Sequence, residues 1–196
     1  MRPNFSSNDQ LVDYLVEQGR IESDRVEDAF RKVDRREFVP SEHSGDAYAD
    51  KPVPIDSVTI SAPHMVAEVT ELLELSGDEK VLEIGSGSGY QAAILGELSG
   101  KVVGIEIDEE LAEKSRKKVP ENVEIRMGNG FEEVEGNFEK ILFSCATESF
   151  DEAREHIRGN GIIVGPVSED GRQVLRKWRN GKVSSHGRVR YVKMQD

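Results

Sequence analysis

From residue 81 onward, short apolar runs alternate with helix-period segments, and no other feature restricts the possible folds as strongly. Runs at 81–85, 102–107, 123–127, 140–145 and 161–167 read as five buried strands. Helical patterns near 91–98, 109–118 and 151–157 separate them, and a short acidic loop near 130–136 fills the remaining gap. Strands joined by such crossovers pair in parallel, so the expectation is a doubly wound α/β sheet. Two further strand patterns, 173–179 and 188–194, follow with no helix between them. That last pair must form an antiparallel hairpin. The predicted core is therefore a seven-stranded, mostly parallel sheet whose last strand is antiparallel.

The N-terminal section carries a different pattern. Leu11, Tyr14 and Leu15, then Val26, Ala29, Phe30 and Val33, recur at helical intervals over 9–18 and 24–33. Gly19 ends the first helix, and Ser23 or Asp24 can cap the second. Residues 48–60 contain prolines and read as ordered but non-repetitive. Pro63 then opens a helix to about residue 75, with Met65, Val66, Val69, Leu72 and Leu73 on its apolar face. A chain of 196 residues suits one domain, here an N-terminal section over 1–78 and a sheet over 79–196. The net charge of -12 opposes binding to nucleic acid and fits a soluble surface. One cysteine, no secretory segment and no apolar run of membrane length predict a cytoplasmic protein with no membrane partner, expected as a monomer. The four histidines show no metal-ligand spacing, so no metal is expected.

Chemistry concentrates at the first of the five strands. Val81 to Ile84 runs straight into Gly85-Ser86-Gly87-Ser88-Gly89 and a helix, and glycines there let the backbone approach a ligand. A dinucleotide loop needs its third glycine one position later, where this chain has Tyr90. Glu83 lies two residues before the first glycine; a carboxylate there would repel a pyrophosphate but suits an ammonium group. Glu106, 23 residues further on, ends the second strand, where a carboxylate can accept both hydroxyls of an adenosine ribose. Ammonium and ribose together describe S-adenosyl-L-methionine. Asn129, within Gly128-Asn129-Gly130, can offer an amide to the adenine edge, with Phe131 or Met127 packing nearby; a ligand-free Asn-Gly turn is the alternative. The expected cofactor set is thus Glu83, Gly85, Ser86, Gly87, Gly89, Glu106, Ile107, Asn129 and Gly130.

Three passages narrow the family. They are Val33-Asp34-Arg35-Arg36-Glu37-Phe38-Val39-Pro40, Ala47-Tyr48-Ala49-Asp50-Lys51-Pro52-Val53-Pro54-Ile55, and Thr59-Ile60-Ser61-Ala62-Pro63-His64-Met65-Val66-Ala67. With them, residues 10–95 closely resemble the protein-L-isoaspartate O-methyltransferases, and the likeness covers nearly the whole chain, thinning after residue 168. The resemblance implies a Rossmann-like class I methyltransferase. It would use S-adenosyl-L-methionine to methylate L-isoaspartyl carboxylates in damaged proteins and peptides, and the ester would then close to a succinimide. It also implies that Ser61 belongs to the active site; a serine just before a helix start is most often an N-cap, and both readings can hold. Ile60 and Ser61 would touch the methyl donor, while Ile55, Thr59, Ser61 and Arg190 would hold the acceptor.

An ionised carboxylate needs no general base, so none of the histidines is required as one. Asn129, Lys193 and Cys145 depart from the family pattern, Cys145 standing where the family has small residues. Asn129 stands where Asp is usual, and Lys193 replaces the proline of the C-terminal Val-Arg-Phe-Val-Pro-Leu segment, here residues 189–194. A methyltransferase of the same fold for another carboxylate or a small molecule is the alternative, and a non-catalytic cofactor-binding module a third. Cys145 reads as a small core thiol, and His64 as a loop-packing residue or a ligand contact.

Overall fold

The computed structural model describes residues 3–56, 58–132 and 134–194. Seven strands form one sheet: β3 (Lys80–Ile84), β4 (Lys101–Glu106), β5 (Val123–Met127), β6 (Phe138–Phe143), β7 (Ile157–Glu169), β8 (Arg172–Arg179) and β9 (Lys182–Val189). Their order is β5-β4-β3-β6-β7-β8-β9. The first five run parallel, β8 is antiparallel to β7, and β9 is antiparallel to β8. The chain winds outward from β3 to β5 and then returns to β6 on the other side of β3. Connections leave β3 and β6 in opposite directions, and the crevice beyond the carboxyl ends of these two strands is where such sheets bind ligands.

Period-two alternation explains how the sheet is held. Val81 and Val102 point to one face, into a cluster with Val69, Leu95, Leu142 and Ile162. Leu82, Ile84, Val103 and Ile105 point to the other, against Phe138, Phe143 and Phe150. The central strands are therefore apolar on both faces, as covered parallel strands must be. The covering helices are α4 (Tyr90–Leu98), α5 (Glu109–Arg116) and α6 (Asp151–His156). Asp108 caps α5 by accepting from the Leu111 N–H at 3.0 Å.

The N-terminal section packs on the same body. Helices α1 (Asn8–Glu17) and α2 (Asp24–Lys32) start at Ser7 and Ser23, whose hydroxyls accept from the amides of Gln10 and Val26. Leu11, Phe30 and Phe38 share a core with Tyr90, Ile94 and Leu111 of the sheet section. Arg35 is fully buried there, its guanidinium 5.1 Å from the centroid of the Tyr90 ring. Helix α3 (Pro63–Leu72) follows and stops short of the expected residue 75.

Three expectations need correction. Residues 48–60 are not wholly non-repetitive: β1 (Val53–Ile55) and β2 (Val58–Ile60) form a two-stranded hairpin. β7 begins at Ile157, directly after α6, and is longer than the expected 161–167. The last strand is 182–189 rather than 188–194. Residues 182–189 are mostly polar, but β9 pairs on one side only and lies on the surface, so it needs no apolar face. Residues 190–194 instead cross the carboxyl end of the sheet, bonding to Ala146 through Val192 O and the Met194 N–H at 2.8 and 2.9 Å.

Candidate active site

At the end of β3 the glycine turn folds back on β4. The Gly85 N–H donates to Ile105 O at 2.8 Å, and φ is +82°, +52° and +83° at Gly85, Gly87 and Gly89. A Cβ on Gly85 would lie 3.2 Å from the Cys145 sulfur, so glycine is what allows the turn to close on β6. Gly89 has a separate role. Its added Cβ would sit 3.0 Å from Ser115 and Val119, so it lets α4 start tight against α5.

Two narrow slots flank the turn. One is lined by Ile84, Gly85, Gly87, Glu106, Ile107, Gly128, Asn129 and Gly130, and is roofed by Val192, Lys193 and Met194. The other is lined by Thr59, Ile60, Ser61, Glu83, Gly85, Ser86, Gly87, Ser144 and Tyr191. Gly85, Gly87, Thr59 and Ser144 line both, making the slots two ends of one cleft. Beyond the second slot a roomier cavity of about 520 Å³ opens, against about 40 Å³ for the slot itself. Thr59, Ser61, Ser144 and Tyr191 form the shared wall, and Arg188, Arg190 and His64 face the cavity. Its size falls in the range of ligand pockets, so it can admit a segment of chain.

The two acids differ in state. Glu106 is 6% exposed and fully engaged: Oε2 accepts from the Gly87 N–H at 2.6 Å and Oε1 from the Asp108 N–H at 3.0 Å. These donors fix it with lone pairs to spare for hydroxyls. Glu83 is completely buried, and one oxygen accepts from the Ser144 hydroxyl at 2.6 Å. The other oxygen has no partner among the described residues. Burial pushes the Glu83 carboxyl up to about 8, against the Ser144 hydrogen bond, and the Glu106 charge adds to the rise. An orphaned carboxylate oxygen in a slot calls for a cationic donor, and the α-ammonium of a methionine moiety supplies one. Burial likewise pushes the Cys145 thiol up to about 12, with help from Glu106 and Glu83.

The acceptor side is built from α3 and its approach. Ser61 does not cap α3; the N-cap is Ala62, with no side-chain bond. Asp50 takes that duty, accepting from the His64 N–H at 3.0 Å and meeting its Nδ1 at 2.7 Å. The Ser61 side chain is thereby left to the cavity, beside the Tyr191 phenol.

Comparison with known proteins agrees with this geometry. The family profile for protein-L-isoaspartate(D-aspartate) O-methyltransferase matches residues 6–196. The chain belongs to that family. The Dictyoglomus turgidum protein-L-isoaspartate O-methyltransferase is 39% identical over 94% of this chain and 89% of its own length. The Anaeromyxobacter dehalogenans protein of the same name is 42% identical over 88% and 87%. A Plasmodium falciparum structure of this family, solved with S-adenosyl-L-homocysteine, superposes with a TM-score of 0.86 at 26% identity, covering 97% of this chain and 99% of that one.

Within this family frame, the residues expected from sequence separate into groups. Glu106, Ile107, Asn129 and Gly130 share one slot; Ile60, Ser61, Glu83 and Ser86 share the other, and Gly85 and Gly87 join them. Thr59, Ser61 and Arg190 meet at the roomy cavity. Three of the expected contacts lie outside these spaces. Gly89 lines none of these spaces, because its space is taken by α5. Ile55 is 4% exposed and lines a separate groove with Phe38 and Leu111, away from the acceptor cavity. Phe131 is core, stacked on His156 at 5.2 Å, and Met127 faces solvent at 49% exposure; neither lines these spaces. The apolar walls of the Glu106 slot include Ile84, Ile105, Val192 and Met194. Neither Tyr191 nor Ser144 is among the residues expected from sequence: Tyr191 lies in the family-like segment 189–194, from which only Arg190 was expected at the site, and Ser144 sits in no local motif that marks one. Ser57, between Ile55 and Thr59, lies outside the described residues.

Proposed function

We propose that this chain transfers a methyl group from S-adenosyl-L-methionine to the α-carboxylate of L-isoaspartyl residues in damaged proteins and peptides. The observation that carries the reading is the single wall of Thr59, Ser61, Ser144 and Tyr191 between the slot holding Glu83's orphaned oxygen and a cavity large enough for a chain segment. Glu83 would hold the methionine ammonium, Glu106 the ribose hydroxyls, and Asn129 the adenine edge. When bound, S-adenosyl-L-methionine supplies an electrophilic methyl group on a sulfonium.

The chain's own work is positioning. Ser61 would hold the acceptor carboxylate at the mouth of the slot, and Arg190 would balance its charge from the cavity rim. Residues 190–194 shield the slot from water. Alignment and water exclusion of this kind lower a barrier by up to about 7–11 kcal/mol. No group needs to take a proton, because the acceptor is already ionised at neutral pH. The ester's methoxy group leaves far more readily than the oxygen of an ionised carboxylate, so the nitrogen of the next backbone amide can bond to the ester carbon, releasing methanol and closing the succinimide that hydrolyses in part to normal aspartate.

Asn129 and Lys193 both line the donor slot, not the acceptor cavity, so these two departures from the family pattern do not favour a different acceptor. One domain, acting as a cytoplasmic monomer, completes the proposal; the core shared by Leu11, Phe30 and Tyr90 supports a single unit. The test is methyl incorporation into an isoaspartyl peptide and its normal aspartyl twin. Labelling of the isoaspartyl peptide alone is expected. Cofactor binding with no labelling of that peptide would refute the acceptor assignment.

A further inference from the structure

Tyr191 occupies the one boundary that both reactants must share. It lines the donor slot with Glu83 and Ser61, and lines the acceptor cavity with Ser61 and Arg190. Its backbone is clamped: the Gln173 side chain donates to Tyr191 O at 3.1 Å and accepts from the Tyr191 N–H at 2.6 Å. Such a pair fixes a residue that belongs to no strand, and it ties the crossing segment to β8. The phenol lies beside the Ser61 hydroxyl. Burial holds its ionisation well above the usual tyrosine range, and the nearby Glu68 and Glu83 charges push the same way. Tyr191 therefore stays a neutral O–H donor at any working pH.

A carboxylate entering from the cavity sheds water and needs donors in its place. Ser61 has one hydroxyl hydrogen, too few for the two oxygens of a carboxylate. Arg190 is exposed at the rim, where its charge is screened. The Tyr191 hydroxyl is a second donor on the shared wall and the one set beside Ser61, while Ser144 is already committed to Glu83.

We infer that Tyr191 is a second acceptor-positioning residue, its hydroxyl and that of Ser61 together gripping the isoaspartyl carboxylate at the mouth of the donor slot. This rests on the methyltransferase reading above. The group gains no charge and passes no proton; the methyl carbon leaves sulfur and bonds to a carboxylate oxygen while Tyr191 keeps its hydrogen. A hydrogen bond to a charged group contributes about 1.5–3 kcal/mol, which corresponds to roughly a 10- to 150-fold change in affinity.

Tyr191→Phe keeps the ring and removes only the hydroxyl. The isoaspartyl peptide should bind the complex with S-adenosyl-L-homocysteine at least tenfold more weakly by calorimetry, and its KM should rise by a similar factor. The affinity for S-adenosyl-L-homocysteine alone should stay within about twofold, which a general disturbance of the fold would not allow. Ser61→Ala combined with Tyr191→Phe should cost less than the product of the single effects, because the two grip one carboxylate. Unchanged peptide affinity in Tyr191→Phe, or equal losses for peptide and S-adenosyl-L-homocysteine, would overturn the inference. If the unaltered protein methylates no isoaspartyl peptide, the functional reading falls instead, and this inference with it.

Discussion

Glu83 makes a quantitative prediction about proton release. Its carboxyl titrates near pH 8 in the free chain, driven up first by burial. An ammonium in the slot requires the carboxylate, so binding at neutral pH must expel the proton that the free chain holds. The penalty factor is one plus the ratio of proton activity to the acid constant. With an acid constant near pH 8, it falls from about 100 at pH 6 to about 11 at pH 7. The affinity for S-adenosyl-L-homocysteine should therefore rise about ninefold across that unit, with about 0.9 proton released at pH 7. Confining the titration to this window keeps the ligand's own amine charged. Calorimetry in buffers of different ionisation enthalpy measures both quantities.

Glu83→Gln should remove the slope and weaken binding by roughly 10- to 150-fold, the range for a charge-assisted hydrogen bond. Its effect on stability should have the opposite sign. The folded chain holds the Glu83 proton up to about pH 8, whereas an ordinary carboxyl loses it near 4.5, so folding is progressively penalised as pH rises between these values. At pH 7 that is about 3 kcal/mol, and the variant without its cofactor should melt about 6–12 °C higher than the unaltered protein. At pH 5 the two should differ little. A variant that binds as tightly as the original, or gains no stability at pH 7, would show that Glu83 does not hold the ammonium from a desolvated site.

Other consequences can be checked separately. Gly89→Ala combines a left-handed backbone with Cβ contacts at 3.0 Å to Ser115 and Val119, and should cost about 2–4 kcal/mol by urea unfolding. Gly45→Ala meets nothing within 4 Å and should stay within about 0.5 kcal/mol, so equal losses would contradict the packing account. Cys145, with its thiol pushed up to about 12, should react with disulfide reagents far more slowly than a free thiol at pH 8; fast labelling would place it outside the cleft. Asn180 and Gly181 form the exposed turn between β8 and β9, with φ of +49° and +76°. Peptide mapping of aged protein should find isoaspartate at 180 before 129 or 160, because Asn160 is held within β7 and Asn129 is part-buried at the donor slot.

What could be read before folding was local. The strand-turn-helix at 81–98, the acid two residues before the first glycine, and the acid that ends the next strand are all spacings along the chain. The parallel sheet and the methyl donor follow from them. The helix start at Ser23 was similarly legible, since a cap acts over three residues. The Thr59-Ile60-Ser61 passage pointed to the acceptor by resemblance. Its reading as an N-cap failed because Asp50, 14 residues earlier, takes the amide of His64.

The tertiary structure decided which of these residues meet, and what lies between them. Gly89 looks like a third ligand glycine until α5 is seen against it, and Ile55 looks like part of the acceptor loop until its strand turns it inward. The alternating stretch at 188–194 resembles a strand, yet the edge position went to the polar residues 182–189, and Val192, Lys193 and Met194 became the roof of the donor slot. Tyr191 acquires a role only there, through a clamp from Gln173, 18 residues away in sequence. Periodicity reports which face of one element is apolar; it carries no information on which distant element will cover it. The identity of the methyl donor is written in short-range spacing, while the grip on its acceptor depends on long-range packing that places Ser61 and Tyr191 on one wall.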